Sequence, residues 1–234
     1  MIDARDALGR AASIGEYFAV DVPCGPGSTS LATLLADPSL QQERVAVTRR
    51  ALATQSGRTE DEIEERAAAS IWFLGFVSRL VSPAFGAAVV AGAVPRLTPA
   101  TVHWRSAPSG PAPIAIDDVH CSAGPPAELA AALHDEVIAT VVLPLADAVG
   151  EKFHVARQLL LGNIASSIVG AAIVVGTARP DVRDEATDLA QRVVNTGQLA
   201  GTGRFTGPRG FVRNSCCLLY RVPAFGYCGD CVLA

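Results

Sequence analysis

Lysine is nearly absent. Lys152 stands alone against 18 arginines. That skew, beside abundant alanine, valine and glycine, reads as the codon bias of a GC-rich genome, so alanine richness says little about helix here. Aromatics make up only 6% of the chain, there is a single methionine, and no segment is strongly basic. With a net charge of -4, nucleic acid is excluded as an expected partner. The N-terminus carries Asp3 and Asp6 and no apolar run, so no secretory signal is expected. A cytoplasmic chain keeps its cysteines as thiols or metal ligands rather than disulfides. There is no GxGxxG, no phosphate-binding loop and no nucleophile elbow, so no nicotinamide or flavin site can be argued. Electrons for any redox chemistry would then come from a partner. His103, His120, His134 and His154 lack metal-ligand spacing and read as ordinary histidines.

What the chain does have is core material. Half of its 234 residues are hydrophobic and 18% are charged, enough for one large domain. Helical patterning covers residues 4–18, 30–35 and 40–54. Thr59-Glu60-Asp61-Glu62 fits a capping box and opens a helix that Pro83 should end or kink near Val81. Further helices are predicted over 125–143, with Pro144 as a break, and over 151–175 and 180–199. Residues 101–105 and 113–117 alternate like paired strands of a hairpin across Pro108–Pro111. Two stretches, 80–95 and 158–178, carry no charge. The second is long enough to cross a bilayer. Gln158, Asn163, Ser166 and Ser167, diluted further by glycine and alanine, argue instead for buried helices and no membrane span. Peripheral membrane association stays open. The expected fold is mainly α with a small β element near 100–117, an α+β helical domain over residues 1–200. A non-helical, metal-binding module over 201–234 should pack on it.

That module holds Cys216-Cys217, ten intervening residues, then Cys228-Gly229-Asp230-Cys231. Thiolates suit iron–sulfur clusters and zinc. The C-x2-C half is generic. The adjacent pair discriminates, because neighbouring side chains diverge along an extended backbone. They chelate one small tetrahedral ion poorly. A two-iron rhomb is wider, and four thiolates are its usual complement. A 2Fe–2S cluster on Cys216, Cys217, Cys228 and Cys231 is therefore favoured over structural zinc, a redox disulfide or unrelated buried thiols. Cys24 and Cys121 stand apart and read as inert thiols. Arg204, Arg209, Arg213 and Arg221 crowd the segment. They are either solvated charge or, for Arg213 and Arg221, groups that tune the potential or draw in an anionic substrate.

The segment RNSCCLLYRVPAFGYCGDCVL resembles the C-terminal signature of the FhuF-type ferric siderophore reductases, whose four cysteines hold a 2Fe–2S cluster at this spacing. Residues 70–95 and Gly162–Gly170 (GNIASSIVG) look like family segments as well. Asn214 stands where a basic residue is expected, and Ala224-Phe225 where glycines are. The resemblance implies a cytoplasmic oxidoreductase that passes one electron to Fe(III) of an imported ferric siderophore, releasing Fe(II). Its external donor would be a ferredoxin-like protein or a flavin reductase. The alternative is an iron–sulfur electron carrier or redox sensor with no siderophore site. The roughly 200 residues ahead of the cysteines favour the enzyme. No catalytic residue is assigned.

Overall fold

The computed structural model describes residues 3–106, 112–117, 119–207 and 210–234. It is 62% helical with a few small sheets, so the chain is mainly α with a small β component. Two long helices make its centre. Helix α4 (Glu65–Ala91) and helix α7 (Arg157–Ala178) pack along each other, and at 1.5 Å per residue they run roughly 40 and 33 Å. Both are apolar on nearly all sides, the pattern of a helix surrounded by protein.

Shorter helices cover this pair. Helix α1 (Ala4–Ala12) is capped by Asp3, whose carboxylate accepts from the Arg5 N–H. Its buried Ala4, Ala7, Leu8 and Ala11 form one stripe against α4. Gly86 eases that approach, since a Cβ there would meet the Ala11 Cβ at 3.2 Å and Phe18, beyond α1, at 2.7 Å. Helix α2 (Leu31–Ala36) starts at Ser30, and α3 (Pro38–Ser56) starts at Asp37 with Pro38 in its first turn and stops at Gly57 in the left-handed region. The capping box forms, with the Thr59 N–H donating to Glu62 at 2.9 Å. It closes only a short 3-10 turn, however. Buried Ile63 is extended, and α4 begins at Glu65.

Neither Pro83, predicted to end or kink a helix, nor Pro144, predicted to break one, ends its helix. Pro83 sits inside α4. There the surrounding core outweighs one missing N–H. The buried Arg79 guanidinium, one turn earlier, ties the helix to its neighbours by donating to the carbonyls of Glu16 (2.6 Å), Ala19 (3.0 Å) and Ala112 (3.1 Å). Pro144 is passed differently. Helix α5 (Pro126–Ala132) continues into a π-helical stretch, Leu133–Val142, and then α6 (Leu143–Phe153). Leu143 donates to Ile138, five residues back. The hydrogen-bond register thus changes beside Pro144, which has no N–H to donate. His154, at φ 52°, ends α6, so the helix predicted from residue 151 starts at Arg157 instead. Helix α8 (Arg183–Val194) packs on α7.

The predicted strand pair is present. Strands β1 (Thr29–Ser30), β3 (Val102–Trp104) and β4 (Ile114–Ile116) form a sheet in the order β1-β3-β4, with Asp21 bridging Ala115 alongside β4. The predicted turn at Pro108–Pro111 lies outside the described residues. Strand β2 (Ala93–Pro95) pairs with β5 (Cys121–Ala123), and β6 (Gly203–Phe205) with β7 (Phe211–Arg213).

Candidate functional site

The β6–β7 hairpin delivers the chain to the cysteines. Arg213 ends β7, and its N–H donates to the Asp230 carbonyl at 3.1 Å, which folds the C-x2-C end back onto the hairpin. Next, Asn214 ties the chain to residues 201 and 202 through its side chain and backbone N–H. Cys216 and Cys217 follow, and Leu218 then turns through the left-handed region at φ 69°. This unusual backbone aims the Leu218 N–H at Cys216 Sγ, 3.3 Å away. The C-x2-C end repeats the device. Cys231 N–H closes a turn on the Cys228 carbonyl at 3.2 Å, and Leu233 N–H points at Cys231 Sγ from 3.3 Å. Two amide donors thus face sulfur atoms that would carry negative charge in a cluster.

The module is seated on uncharged polar side chains of the two central helices. Gly162 on α7 leaves room for Ser215, whose Oγ would lie 2.4 Å from a Cβ at that position. Ser215 Oγ donates to the Gln158 carbonyl at 3.1 Å. Ser70, fully buried on α4, donates to the Cys217 carbonyl at 2.7 Å. Asn163, fully buried on α7, donates to both Ser70 oxygens at 3.1 Å and accepts from Arg213 Nη1 at 2.6 Å. Ser166 bonds the Asp230 carboxylate. Ser70, Asn163, Ser166 and Asp230 were not singled out from sequence as site residues. The signal was there: Asn163, Ser166 and Ser167 recur on one face of an otherwise apolar helix.

Arg213 is the buried charge of the site. It is 1% exposed, its Nη2 lies 3.4 Å from Cys228 Sγ, and its Nε is 3.6 Å from Asp230 with no hydrogen-bond partner among the described residues. Burial opposes its charge, but Asp230 and the Cys217 and Cys228 thiols outweigh that and raise its pKa. Such burial corrects one expectation. Arg213 cannot meet a docking substrate; it can act only on the groups bound beside it. Arg221 is half-exposed, lies over the Tyr220 ring and is paired with Glu64 at 2.9 Å. Arg204 is exposed on β6, and Arg209 lies outside the described residues.

Cys217 and Cys231 are buried, whereas Cys216 and Cys228 are partly open. Burial raises the pKa of Cys216 and, helped by the Cys217 hydrogen bond, pushes Cys228 up to about 12. Metal binding must therefore displace the protons of these two thiols. Among the described residues no three of the four cysteine sulfurs come within 4.8 Å of one another. Thiolates around one tetrahedral zinc would stand roughly 3.8 Å apart, from a Zn–S bond of about 2.3 Å. A two-iron rhomb instead divides four thiolates between two metals. The half-paired cation at Arg213 fits it, because a four-thiolate 2Fe–2S centre is anionic.

Residues 213–233 match the FhuF 2Fe-2S C-terminal domain. The FhuF match takes in all four cysteines and Arg213, and the cofactor of this module is a 2Fe–2S cluster. No curated protein matches the chain. Of the other cysteines, Cys121 lies on β5 with burial pushing it up to about 11. Cys24 lies beside Asp117 and His103, apart from the FhuF module. A cavity of about 300 Å³ lined by Arg44, Trp72, Phe76 and Trp104 also opens on α4. At 100° per residue, its lining residues 71, 72, 75 and 76 project from the side of α4 opposite Ser70, away from the cysteines.

Proposed function

We propose that the protein is a cytoplasmic ferric siderophore reductase, transferring one electron to chelated Fe(III) so that the weakly held Fe(II) is released. The observation that carries this reading is the FhuF-type ligand set with two of its four cysteines open to the surface. When bound, the cluster supplies electrons one at a time. The residues around it do the rest. Exposed Tyr220, Tyr227 and Leu233 give the open side an apolar rim against which a chelate can sit without covalent contact. Tyr220 and Tyr227 lie 6.2 Å apart, centre to centre, and Arg221 adds the one cation of this rim among the described residues. Buried Arg213, with the Leu218 and Leu233 amides, stabilises negative charge on the sulfur ligands and so favours the reduced form. The electron donor is an external ferredoxin-like protein or flavin reductase.

The test is stopped-flow mixing of anaerobically reduced holoprotein with ferric siderophores. Saturable reoxidation, with Fe(II) trapped by a ferrous chelator in equal amount, is expected. Holoprotein that stays reduced with every ferric chelate would remove the reductase reading and promote an electron carrier or redox sensor.

A further inference from the structure

A second group of ligand-type side chains lies on the other side of the sheet. Strand alternation sends Val102, Trp104, Ile114 and Ile116 into the core. It sends His103 and Asp117 to the opposite face. His103 pairs with Ala115 in register, so Asp117 is its diagonal neighbour two residues along β4. The segment carrying Asp21 runs beside β4 and brings in Cys24. The Cys24 N–H donates to Asp117 Oδ1 at 2.7 Å, and its thiol to Oδ2 at 2.9 Å. His103 Nε2 stands 3.2 Å from the same Oδ2. Sulfur, nitrogen and oxygen ligand atoms therefore all lie within 4.8 Å of one another, half-buried.

We propose that Cys24, His103 and Asp117 form a binding site for a divalent cation of the zinc class, with a fourth position open to water. The donor set selects the ion. One thiolate and one imidazole disfavour magnesium and calcium and suit a borderline cation. The spacing is near what ligation needs. Around tetrahedral zinc, S···O and N···O edges come to roughly 3.5 and 3.3 Å, so the thiol has to move off the carboxylate by about 0.6 Å while the imidazole already stands within about 0.1 Å of its place. The ion takes the place of the thiol proton shared with Asp117 Oδ2, and that proton leaves to solvent. Three protein ligands leave one position for water or an exchangeable ligand, the pattern of an open rather than a structural zinc site. Order is supplied from behind: the Cys24 N–H holds Oδ1, and the Asp117 N–H donates to the Thr101 carbonyl at 2.9 Å. The order of contacts also speaks against a thiol nucleophile. The carboxylate, not the imidazole, takes the thiol hydrogen.

The test uses holoprotein with its iron loaded, equilibrated with Zn²⁺, desalted, and counted for zinc and iron together. Wild type and Cys121→Ser should retain about one zinc per chain at unchanged iron, with a single sulfur near 2.3 Å in the zinc absorption spectrum. Cys24→Ser and His103→Ala should lose that zinc and keep the iron. Cys24→Ser can still hydrogen-bond Asp117, so thermal unfolding without zinc should match wild type and separate ligation from folding. Equal zinc in wild type and both variants would overturn the site. So would zinc uptake matched by iron loss, since the ion would then occupy the cluster cysteines.

Discussion

Arg213 is where charge, burial and the cysteines meet. A guanidinium 1% exposed and 3.4 Å from Cys228 Sγ acts through protein rather than water. Removing it should lower the reduction potential, because positive charge stabilises the more negative, reduced centre. Taking one charge at roughly 5 Å and an effective dielectric of about 20, Arg213→Gln should cost on the order of 100 mV. Arg213→Lys should recover part of this. Arg221→Gln should shift the potential far less and lose even that at high salt, since Arg221 is exposed and already paired with Glu64. Redox titration followed by visible absorption measures all three; equal shifts for Arg213→Gln and Arg221→Gln would contradict the assignment. For ligation, Ser in place of Cys216, Cys217, Cys228 or Cys231 should each cripple iron content. Cys121→Ser should not, and full iron in Cys217→Ser would be incompatible with this ligand set. The four cysteines were legible because chemistry constrains their spacing along the chain. The cation at Arg213 was legible as a residue but not as buried, because burial is set by α7, fifty positions earlier in the sequence. His103, Cys24 and Asp117 were illegible as a group. They meet only through sheet register.

At the scale of elements, the junction of α7 with the cysteine loop is the contact on which the site depends. Gly162 faces Ser215 with no space for a methyl: a Cβ would fall 2.4 Å from Ser215 Oγ but 3.8 Å from its Cβ. Gly162→Ala should therefore push the loop off α7, with a cost of about 1–3 kcal/mol as in other overpacked sites. Ser215→Ala alone should cost less, and the double variant should recover most of the loss. Iron retention during thermal unfolding is the readout, and additive losses in the double variant would contradict the contact. The same helix explains one gap in the sequence reading. Its polar residues, taken singly, weaken hydrophobicity; together they are a seam, with Ser167 Oγ 3.0 Å from Ser78 Oγ on α4 and Asn163 on Ser70. Prolines misled for a related reason. Pro83 and Pro144 are poor helix residues locally, yet one lies in a core that holds its helix in place and the other at a change of hydrogen-bond register.

For the whole molecule, the open question of scale is whether water or lipid surrounds it. Among the described residues, three helical stretches are long and apolar enough to cross a bilayer: Glu65–Ala91, Pro126–Phe153 and Arg157–Ala178. Their most apolar windows are 78%, 56% and 78% buried within the fold. If Glu65–Ala91 or Arg157–Ala178 entered lipid alone, it would have to give up that cover, and with it the Ser70–Asn163–Arg213 hydrogen bonds that seat the cysteine loop on α4 and α7. Lipid could not replace these bonds, and an unsatisfied polar group in hydrocarbon costs several kcal/mol. Mainly α folding and the strand pair could be read from periodicity, but the choice between core and membrane could not, since both select the same long apolar helices. The seam is satisfied only while the two helices stay paired, and we propose that they pair inside a fold surrounded by water. The protein should therefore purify without detergent, with its iron. Ile173 and Val174, 44% and 45% exposed near the end of α7, leave room for reversible attachment to a membrane surface. Such attachment should be released by a carbonate wash. Retention of the chain in washed membranes, with iron still bound, would mean that one of the three helices spans the bilayer.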